Sequence, residues 1–496
     1  MDYLNSTAFA SRVEDLMKKH HVPGLAIAVI KDEQTFSAGY GQASLDPPKP
    51  CTADTLFDIA SSSKSLTAAS VALLVRDNER YPEVQYEATM SSLLPEDFVM
   101  PGQGYTEGVT VEDVLGHRTG MPRHDDSYLS PRAAQPDDAR SVTRNLRNLV
   151  VAAPIRSKHL YNNMMYTAAT YLVEKKTGLA FADFLHERFF QPLRMRSTHL
   201  QPGRARAAGH GDRLAMGHAW NEEDGRYVGF EALDCPEAQG AGSVITSVND
   251  YLKWVKALMN CEHPIDDEVY KGLIKMRSFP ASGAEDREPM SSPLVYAAGL
   301  TVFYYGGHLV VGHDGSIPGF GSRHFFVPAL KLGGVILGNS GDADGVAAIL
   351  SREMIDEVMG VPVTERPDWE EVVRQQNLEE EDDEPSCALC DGDERVEPQK
   401  MPLSAYAGEY WNPGYRGMTV QVKDGGLFVD ASDRSMGYTL VFHHVHGQTE
   451  YVAHLSDFQT GGDERIAAAF VFENEKAVKM GLQLESEIND MIWFVR

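Results

Sequence analysis

A chain of 496 residues is too long for one ordinary hydrophobic core, which predicts a large two-lobed domain with a smaller companion, or two to three domains. Its 43% hydrophobic and 24% charged content excludes collagen-like and wholly disordered chains. With 45 Lys plus Arg against 72 Asp plus Glu, the net charge of −27 repels nucleic acid phosphates and anionic membrane surfaces, so neither is expected as a partner.

The first residues carry Asp2, Glu14 and Asp15, and the first apolar run, Leu25 to Ile30, is too short for a signal peptide core. No stretch has the length needed to span a bilayer, so the expected address is the cytoplasm. Five cysteines, an odd number in so long a chain, predict reduced thiols rather than a disulfide framework. Cys387 and Cys390 form a lone CxxC beside an acidic run and read as incidental loop cysteines.

In chain order, Leu25 to Lys31 and Thr35 to Gly41 read as a hairpin that begins an antiparallel sheet. From Ser61 to about Val75, Leu66, Ala69 and Leu73 recur at helical spacing behind a serine-rich start suited to capping. Further helical patterns cover Phe181 to Phe190 and Asn249 to Met259. Two β-rich runs between Gly299 and Gly312 are joined by Gly306-Gly307, a dipeptide suited to a tight turn, and Gly321 to Val327 and Gly333 to Leu337 add two strands. Strands at both ends with helices between predict an α/β (α+β) fold: one lobe built on an antiparallel sheet assembled from distant segments, and one helical lobe, over residues 1–364.

Between 365 and 400 the chain turns acidic, with six acidic residues from Glu379 to Glu384, and reads as a linker. Seven runs come after it: Thr419 to Val422, Leu427 to Val429, Tyr438 to Phe442, Glu450 to His454, Ala467 to Phe472, Val478 to Leu484 and Met491 to Val495. They predict a small all-β, barrel-like domain over 401–496.

The chemistry begins with Ser61-Ser62-Ser63-Lys64. Residues three apart share a helix face, so the Lys64 amine can reach the Ser61 hydroxyl, and a helix N-terminus favours developing negative charge. Residue frequencies alone supply roughly one Ser-x-x-Lys in a chain this long. The flanking residues carry more weight: Phe57-Asp58-Ile59-Ala60-Ser61-Ser62-Ser63-Lys64-Ser65-Leu66-Thr67-Ala68 resembles the nucleophile segment of class C β-lactamases and their esterase and D-peptidase relatives, in the wider serine β-lactamase and penicillin-binding-protein family. Val22-Pro23-Gly24-Leu25-Ala26-Ile27-Ala28-Val29 resembles the family's opening strand. Val114-Leu115-Gly116-His117-Arg118-Thr119-Gly120-Met121-Pro122 is similar to the segment after its first helix, and Gly240-Ala241-Gly242-Ser243 with Asn249-Asp250-Tyr251 to its later glycine turn and helix. The resemblance spans roughly residues 10–360.

It implies a Tyr-x-Asn motif, and Tyr3-Leu4-Asn5, Tyr161-Asn162-Asn163 and Tyr410-Trp411-Asn412 all match. Only the second precedes a helix with an apolar face (Met165, Ala169, Leu172) between the other motifs, which selects Tyr161 and Asn163. A phenol held between two cations can lose its proton well below its usual pKa of about 10, which makes Tyr161 an expected general base. The third motif also has a decoy. Lys176-Thr177-Gly178 spells the lactamase string, yet it ends the helix after Tyr161, with Gly178 at the C-cap. His313-Asp314-Gly315, the one His-x-Gly among 17 histidines, comes after the apolar run Leu309 to Gly312 and continues into Ser316-Ile317-Pro318-Gly319-Phe320.

The resemblance implies backbone N–H groups of Ser61 and Ser316 as an oxyanion hole, His313 orienting the substrate or tuning Tyr161, Gly315 beside the substrate, and an acyl-enzyme on Ser61 managed by Lys64 and Tyr161. Asp314, where the family has a small residue, would disfavour anionic substrates such as penicillins if it faced the cleft. No His-Glu-x-x-His or similar spacing occurs, so no metal or other cofactor is assigned, and His117 reads as a packed structural residue. The expected activity is hydrolysis of a small-molecule or peptide ester or amide. Acyl transfer from the same intermediate and a non-catalytic scaffold are the alternatives. Arg123 to Arg156 and His263 to Pro293 look like insertions that would set the substrate.

Overall fold

The computed structural model of the protein describes residues 1–222, 224–280, 287–383 and 398–496. Strand Gly24–Lys31 is buried along nearly its whole length. Alternate side chains of a strand leave opposite faces, so such a run needs cover on both sides. Leu25, Ile27 and Val29 pack with Phe9 and Val13 of helix Thr7–Lys19 and with Val346 and Leu350 of helix Ala343–Met359. Ala26, Ala28 and Ile30 turn to the other face, with Leu66 of helix Lys64–Arg76 and Val255 of helix Val248–Asn260.

The strand sits in an eight-stranded sheet of order Pro48–Pro50, Gln34–Leu45, Gly24–Lys31, Leu332–Gly338, Phe320–Val327, His308–Ile317, Thr301–Tyr305, Val295–Tyr296. Its pairings are antiparallel, and Ile27 lies opposite Ile336, so segments about 300 residues apart in the chain meet at the centre. The expected hairpin at Gly306-Gly307 joins Thr301–Tyr305 to His308–Ile317, both glycines having positive φ. Beside the sheet lies the helical lobe, including Lys64–Arg76, Asn163–Thr177, Phe181–Leu185 and Asp267–Ile274. A small sheet of Phe57–Asp58, Val244–Thr246 and His199–Leu200 fixes the approach to Ser61. Gly178 caps Asn163–Thr177 with φ +73, the left-handed conformation expected of it.

The all-β reading of the C-terminal part holds, as a closed barrel of eight strands. The first, Gly408–Asn412, contains the decoy Tyr410 and is absent from the sequence reading. It closes the barrel through Trp411 opposite Val495. Barrel strands alternate: Tyr410, Val420, Leu440, Phe470 and Phe494 are buried inside, while Trp411, Val441, Val471, Trp493 and Val495 face out.

The segment expected to be a linker from 365 to 400 differs from that reading in its first half. Trp369–Asp383 is a helix, and Trp369 is 3% exposed, its indole N–H donating to Asp356 Oδ2 at 2.8 Å. Arg12 pairs with Glu370 at 2.6 Å. Trp369 and Val373, one helical turn apart, make a short buried stripe that the acidic residues around it mask in a compositional reading. The Cys387 and Cys390 pair lies outside the described residues. Cys51, Cys235 and Cys261 are free thiols. Among the described residues no helix is long and apolar enough to cross a membrane.

The barrel is stitched to the segment after Arg123. Ser130 N–H donates to Asp433 O at 2.9 Å, Ser435 N–H to Tyr128 O at 3.1 Å, and Asn145 Nδ2 to Gly414 O at 2.8 Å. His124, 1% exposed, donates its backbone N–H to Glu485 Oε2 (2.7 Å) and has Nδ1 2.7 Å from Tyr415 Oη.

Candidate active site

Ser61 sits in a tight turn, Ala60–Ser63, that leads straight into helix Lys64–Arg76. Ala60 has φ +49, and buried Asp58 holds this strained turn by accepting the Ala60 N–H at 2.8 Å. Burial pushes the Asp58 carboxyl up to about 6. Strand His308–Ile317 is clamped to the same turn. Ser62 Oγ donates to His313 O at 3.0 Å, and a β-carbon at Gly315 would fall 2.7 Å from Ser61 N and 2.3 Å from Ile59 O. Gly315 is therefore where the two backbones touch, and Ser316 comes next, beside Ser61 in the wall of the cleft.

Lys64 Nζ lies 3.0 Å from Ser61 Oγ and donates to Ala241 O at 2.9 Å, with no solvent exposure. Burial drives its amine well below the ordinary lysine value; nearby Asp125 only partly opposes this and Arg123 adds to it. Nζ also lies 4.7 Å from the centre of the Tyr161 ring. Tyr161 thus stands between Lys64 and Arg123, whose guanidinium is 5.5 Å from the same ring. The expected consequence does not hold. Burial outweighs a hydrogen bond with Ser61 and the Arg123 charge, so the phenol is pushed above its ordinary value rather than below it. One of the two cations, Lys64, has itself lost the tendency to be charged.

Asn163 begins the helix after Tyr161 and donates through Nδ2 to both Asp125 oxygens at 3.1 Å. Asp125 also accepts from Tyr128 Oη at 2.8 Å and pairs with Arg123 at 3.2 Å. His117 is fully buried, with Nδ1 accepting the Asn162 N–H at 3.0 Å and its ring 4.3 Å from Tyr161, a packed support for the Tyr-x-Asn turn. The other two matches to that string lie elsewhere: Tyr410 Oη donates to Tyr406 O at 2.6 Å inside the barrel, and Tyr3 precedes the first helix.

His313 lies on the strand beside Ser61, but its ring turns to Tyr296, with Nε2 2.9 Å from Tyr296 Oη and Nδ1 2.6 Å from Asp314 O. Burial, with help from Lys64, pushes it down to about 4, so it is neutral. It reaches Tyr161 only through Tyr296, whose ring meets Tyr161 edge-on at 6.3 Å. Asp314 points to the opposite sheet face and pairs with Arg323 at 3.3 Å, so it does not restrict the cleft. Lys176 pairs with Glu83 at 2.8 Å at the far end of its helix.

Ser61 opens into a cleft of about 180 Å³. Arg123, Asp125 and Tyr128 of the first insertion line it. Among the described residues none from 263–293 does. Sequence reading missed its other wall. Phe230 ends the hairpin Gly217–Asn221/Arg226–Phe230, Leu233 lies three residues beyond, and Met436, Asp457 and Phe458 come from the barrel. No local motif marks these residues, which converge only through domain docking. Among the described residues no cluster of His, Cys, Asp and Glu could hold a metal ion.

Residues 9–357 match the β-lactamase family model, and 393–496 match a domain of unknown function, DUF3471. The chain belongs to the β-lactamase family, a hydrolase family of the serine type. It is 34% identical over 462 residues to an unguisins hydrolase of Aspergillus violaceofuscus, covering 88% of this chain and 81% of that one. It is 32% identical over 441 residues to a second unguisins hydrolase, of Aspergillus campestris, with the same coverage. Among solved structures, the octameric penicillin-binding protein homologue of Pyrococcus abyssi shares the fold over 98% of both chains, with a TM-score of 0.61 and 18% identity. The D-amino acid amidase of Ochrobactrum anthropi matches 71% of this chain and 98% of its own, with a TM-score of 0.55 and 22% identity.

Proposed function

We propose that the protein hydrolyses an ester or amide of a small molecule or peptide through an acyl-enzyme on Ser61. The observation that carries this is Lys64: a buried amine 3.0 Å from Ser61 Oγ, driven well below its ordinary pKa, is an uncharged acceptor for the hydroxyl proton. At rest Nζ donates to Ser61 Oγ and to Ala241 O; as the free amine it also carries a lone pair that can take the hydroxyl proton.

Ser61 Oγ bonds to the carbonyl carbon as its proton passes to Lys64. The oxyanion is received by the N–H groups of Ser61 and Ser316, held together by the contact at Gly315. The carbon–leaving-group bond then breaks, and the leaving group takes a proton through Tyr161, whose raised pKa keeps the phenol a donor. Lys64 returns its proton to the Tyr161 oxygen. Water then bonds to the acyl carbon, losing a proton to the Lys64 and Tyr161 pair; the bond to Ser61 Oγ breaks, and the pair passes that proton to Oγ, which releases the acid and restores all three groups. The two relatives named as unguisins hydrolases support hydrolysis as the class of reaction.

Incubation with a fluorophosphonate and a panel of chromogenic esters and amides, with intact mass measurement afterwards, tests the reading. One adduct is expected on the wild type and none on Ser61→Ala. Equal labelling of the alanine variant refutes it. Added hydroxylamine reports whether the acyl group passes to water or to another acceptor.

A further inference from the structure

We infer that the C-terminal barrel forms one wall of the acyl-donor pocket, that Met436 and Phe458 are specificity-determining residues, and that the pocket takes an uncharged, apolar acyl group. The inference rests on the acyl-enzyme reading above and extends it to a substrate class.

The first observation is apolar surface in an unusual place. Met436 and Leu233 are 39% and 37% exposed, and both line the cleft in front of Ser61. Large side chains left open to solvent at the mouth of a concave site are the recognised signature of a ligand surface. Phe230 and Phe458 line the same cleft from the catalytic domain and the barrel respectively.

The second observation is that this wall is held in place before any ligand arrives. Arg132 donates to Ser432 O at 2.8 Å and Arg434 O at 2.7 Å, and its guanidinium lies 4.2 Å from the centre of the Phe458 ring. Phe458 N–H donates to Gly437 O at 3.0 Å, and Ser435 N–H to Tyr128 O at 3.1 Å. Binding against a surface already ordered avoids the entropic cost of ordering it, so side chains on it discriminate effectively.

The third observation concerns charge. Arg123 is the lining arginine, and it is engaged by Asp125 and the Tyr161 ring. Burial disfavours charge on both Lys64 and His313. A substrate carboxylate therefore meets no uncommitted cation among the described lining residues. The lining carboxylates are committed as well. Asp58 accepts the Ala60 N–H, Asp125 has Arg123, Tyr128 and Asn163, Glu231 pairs with Arg206, and Asp457 accepts the N–H groups of Gln459 and Thr460. Asp58 and Asp457 accept from neutral donors alone and keep their charge, so an ammonium is disfavoured by the apolar wall itself, against which its terminus would have to shed water.

The test compares p-nitrophenyl octanoate with two esters of the same length, the suberate half-ester, ending in a carboxylate, and 8-aminooctanoate, ending in an ammonium. The octanoate is expected to show kcat/KM at least tenfold above both. Met436→Gln, which keeps size, and Phe458→Ala are expected to lower the octanoate-to-acetate ratio of kcat/KM about five- to tenfold at unchanged melting temperature. Trp411→Ala, on the barrel's outer wall, is expected to leave that ratio as in the wild type. A charged ester turned over as well as octanoate, or an unmoved ratio in both cleft variants, overturns the inference while leaving acylation of Ser61 standing. Absence of an acyl mass on Ser61 from every ester overturns both readings.

Discussion

Replacing Gly315 by alanine probes the contact on which the proposed oxyanion site depends. A β-carbon there would lie 2.3 Å from Ile59 O, 2.6 Å from Ser322 Oγ and 2.7 Å from Ser61 N. The Ser322 hydroxyl can rotate away, but the two backbone atoms belong to the nucleophile turn, which must move by about 1 Å to restore van der Waals distance. Overpacking of this kind costs about 1–3 kcal/mol. In a protein of this size that lowers the melting temperature by a few degrees. The catalytic cost is expected to be larger, because about 1 Å of misplacement at the reacting atoms is worth about 10²-fold in rate. Gly345→Ala is the control: it lies in helix Ala343–Met359, and its new β-carbon would be 3.5 Å from Val373 Cγ1, an ordinary contact. That variant should be as stable as the wild type or more so, by up to about 1 kcal/mol from helix propensity. The assay is kcat/KM on the best ester, with thermal melting and the rate of fluorophosphonate labelling. A folded Gly315→Ala with activity within threefold of wild type would show that the strand contact does not set the geometry at Ser61.

Tyr161→Phe is expected to reduce kcat by roughly 10²- to 10⁴-fold with a smaller change in KM, whereas Tyr410→Phe, inside the barrel, leaves kcat nearly unchanged; equal losses would refute the motif choice. His313→Ala, which removes the partner of Tyr296 beside the nucleophile strand, should lower kcat/KM tenfold or more. Lys176→Ala loses only a partly exposed ion pair with Glu83 and should cost about 0.5 kcal/mol with activity retained; the reverse outcome would misplace the third motif. An ordinary lysine base would make kcat/KM rise about tenfold per pH unit toward its pKa of about 10.4. Because burial lowers the Lys64 pKa, the free amine is reached at lower pH than for an ordinary lysine. The profile should therefore level off below the ordinary lysine value, and the raised Tyr161 phenol should hold that plateau to beyond pH 10. A steady climb from pH 7 to 10 would exclude Lys64 as the uncharged acceptor.

The features legible in the linear chain are those whose information is local. Ser61 and Lys64 stand one helical turn apart, Tyr161 precedes an amphipathic helix, and Gly178 marks a helix end, which favours His313 over Lys176. The alternating runs after 401 specify an all-β domain, since a barrel wall requires side chains to alternate between core and solvent. Burial and distant neighbours settle the rest. Two cations beside Tyr161 suggest a depressed phenol pKa, yet removing the same cluster from water drives the phenol up and the Lys64 amine down, because desolvation disfavours whichever form is charged. Asp314 is adjacent to the site in sequence, but the twofold alternation of a strand sends its carboxylate to the far face, to Arg323. Trp369 and Val373 anchor a helix within a stretch whose acidity reads as a linker, because two apolar residues one turn apart outweigh their surroundings once a surface is there to bury them. Met436 and Phe458 lie on a separate barrel, far from Ser61 in the chain. They join its cleft only because hydrogen bonds donated by Ser130 and Arg132, and one accepted by Tyr128 O, dock the two domains, a surface complementarity with no linear pattern to read.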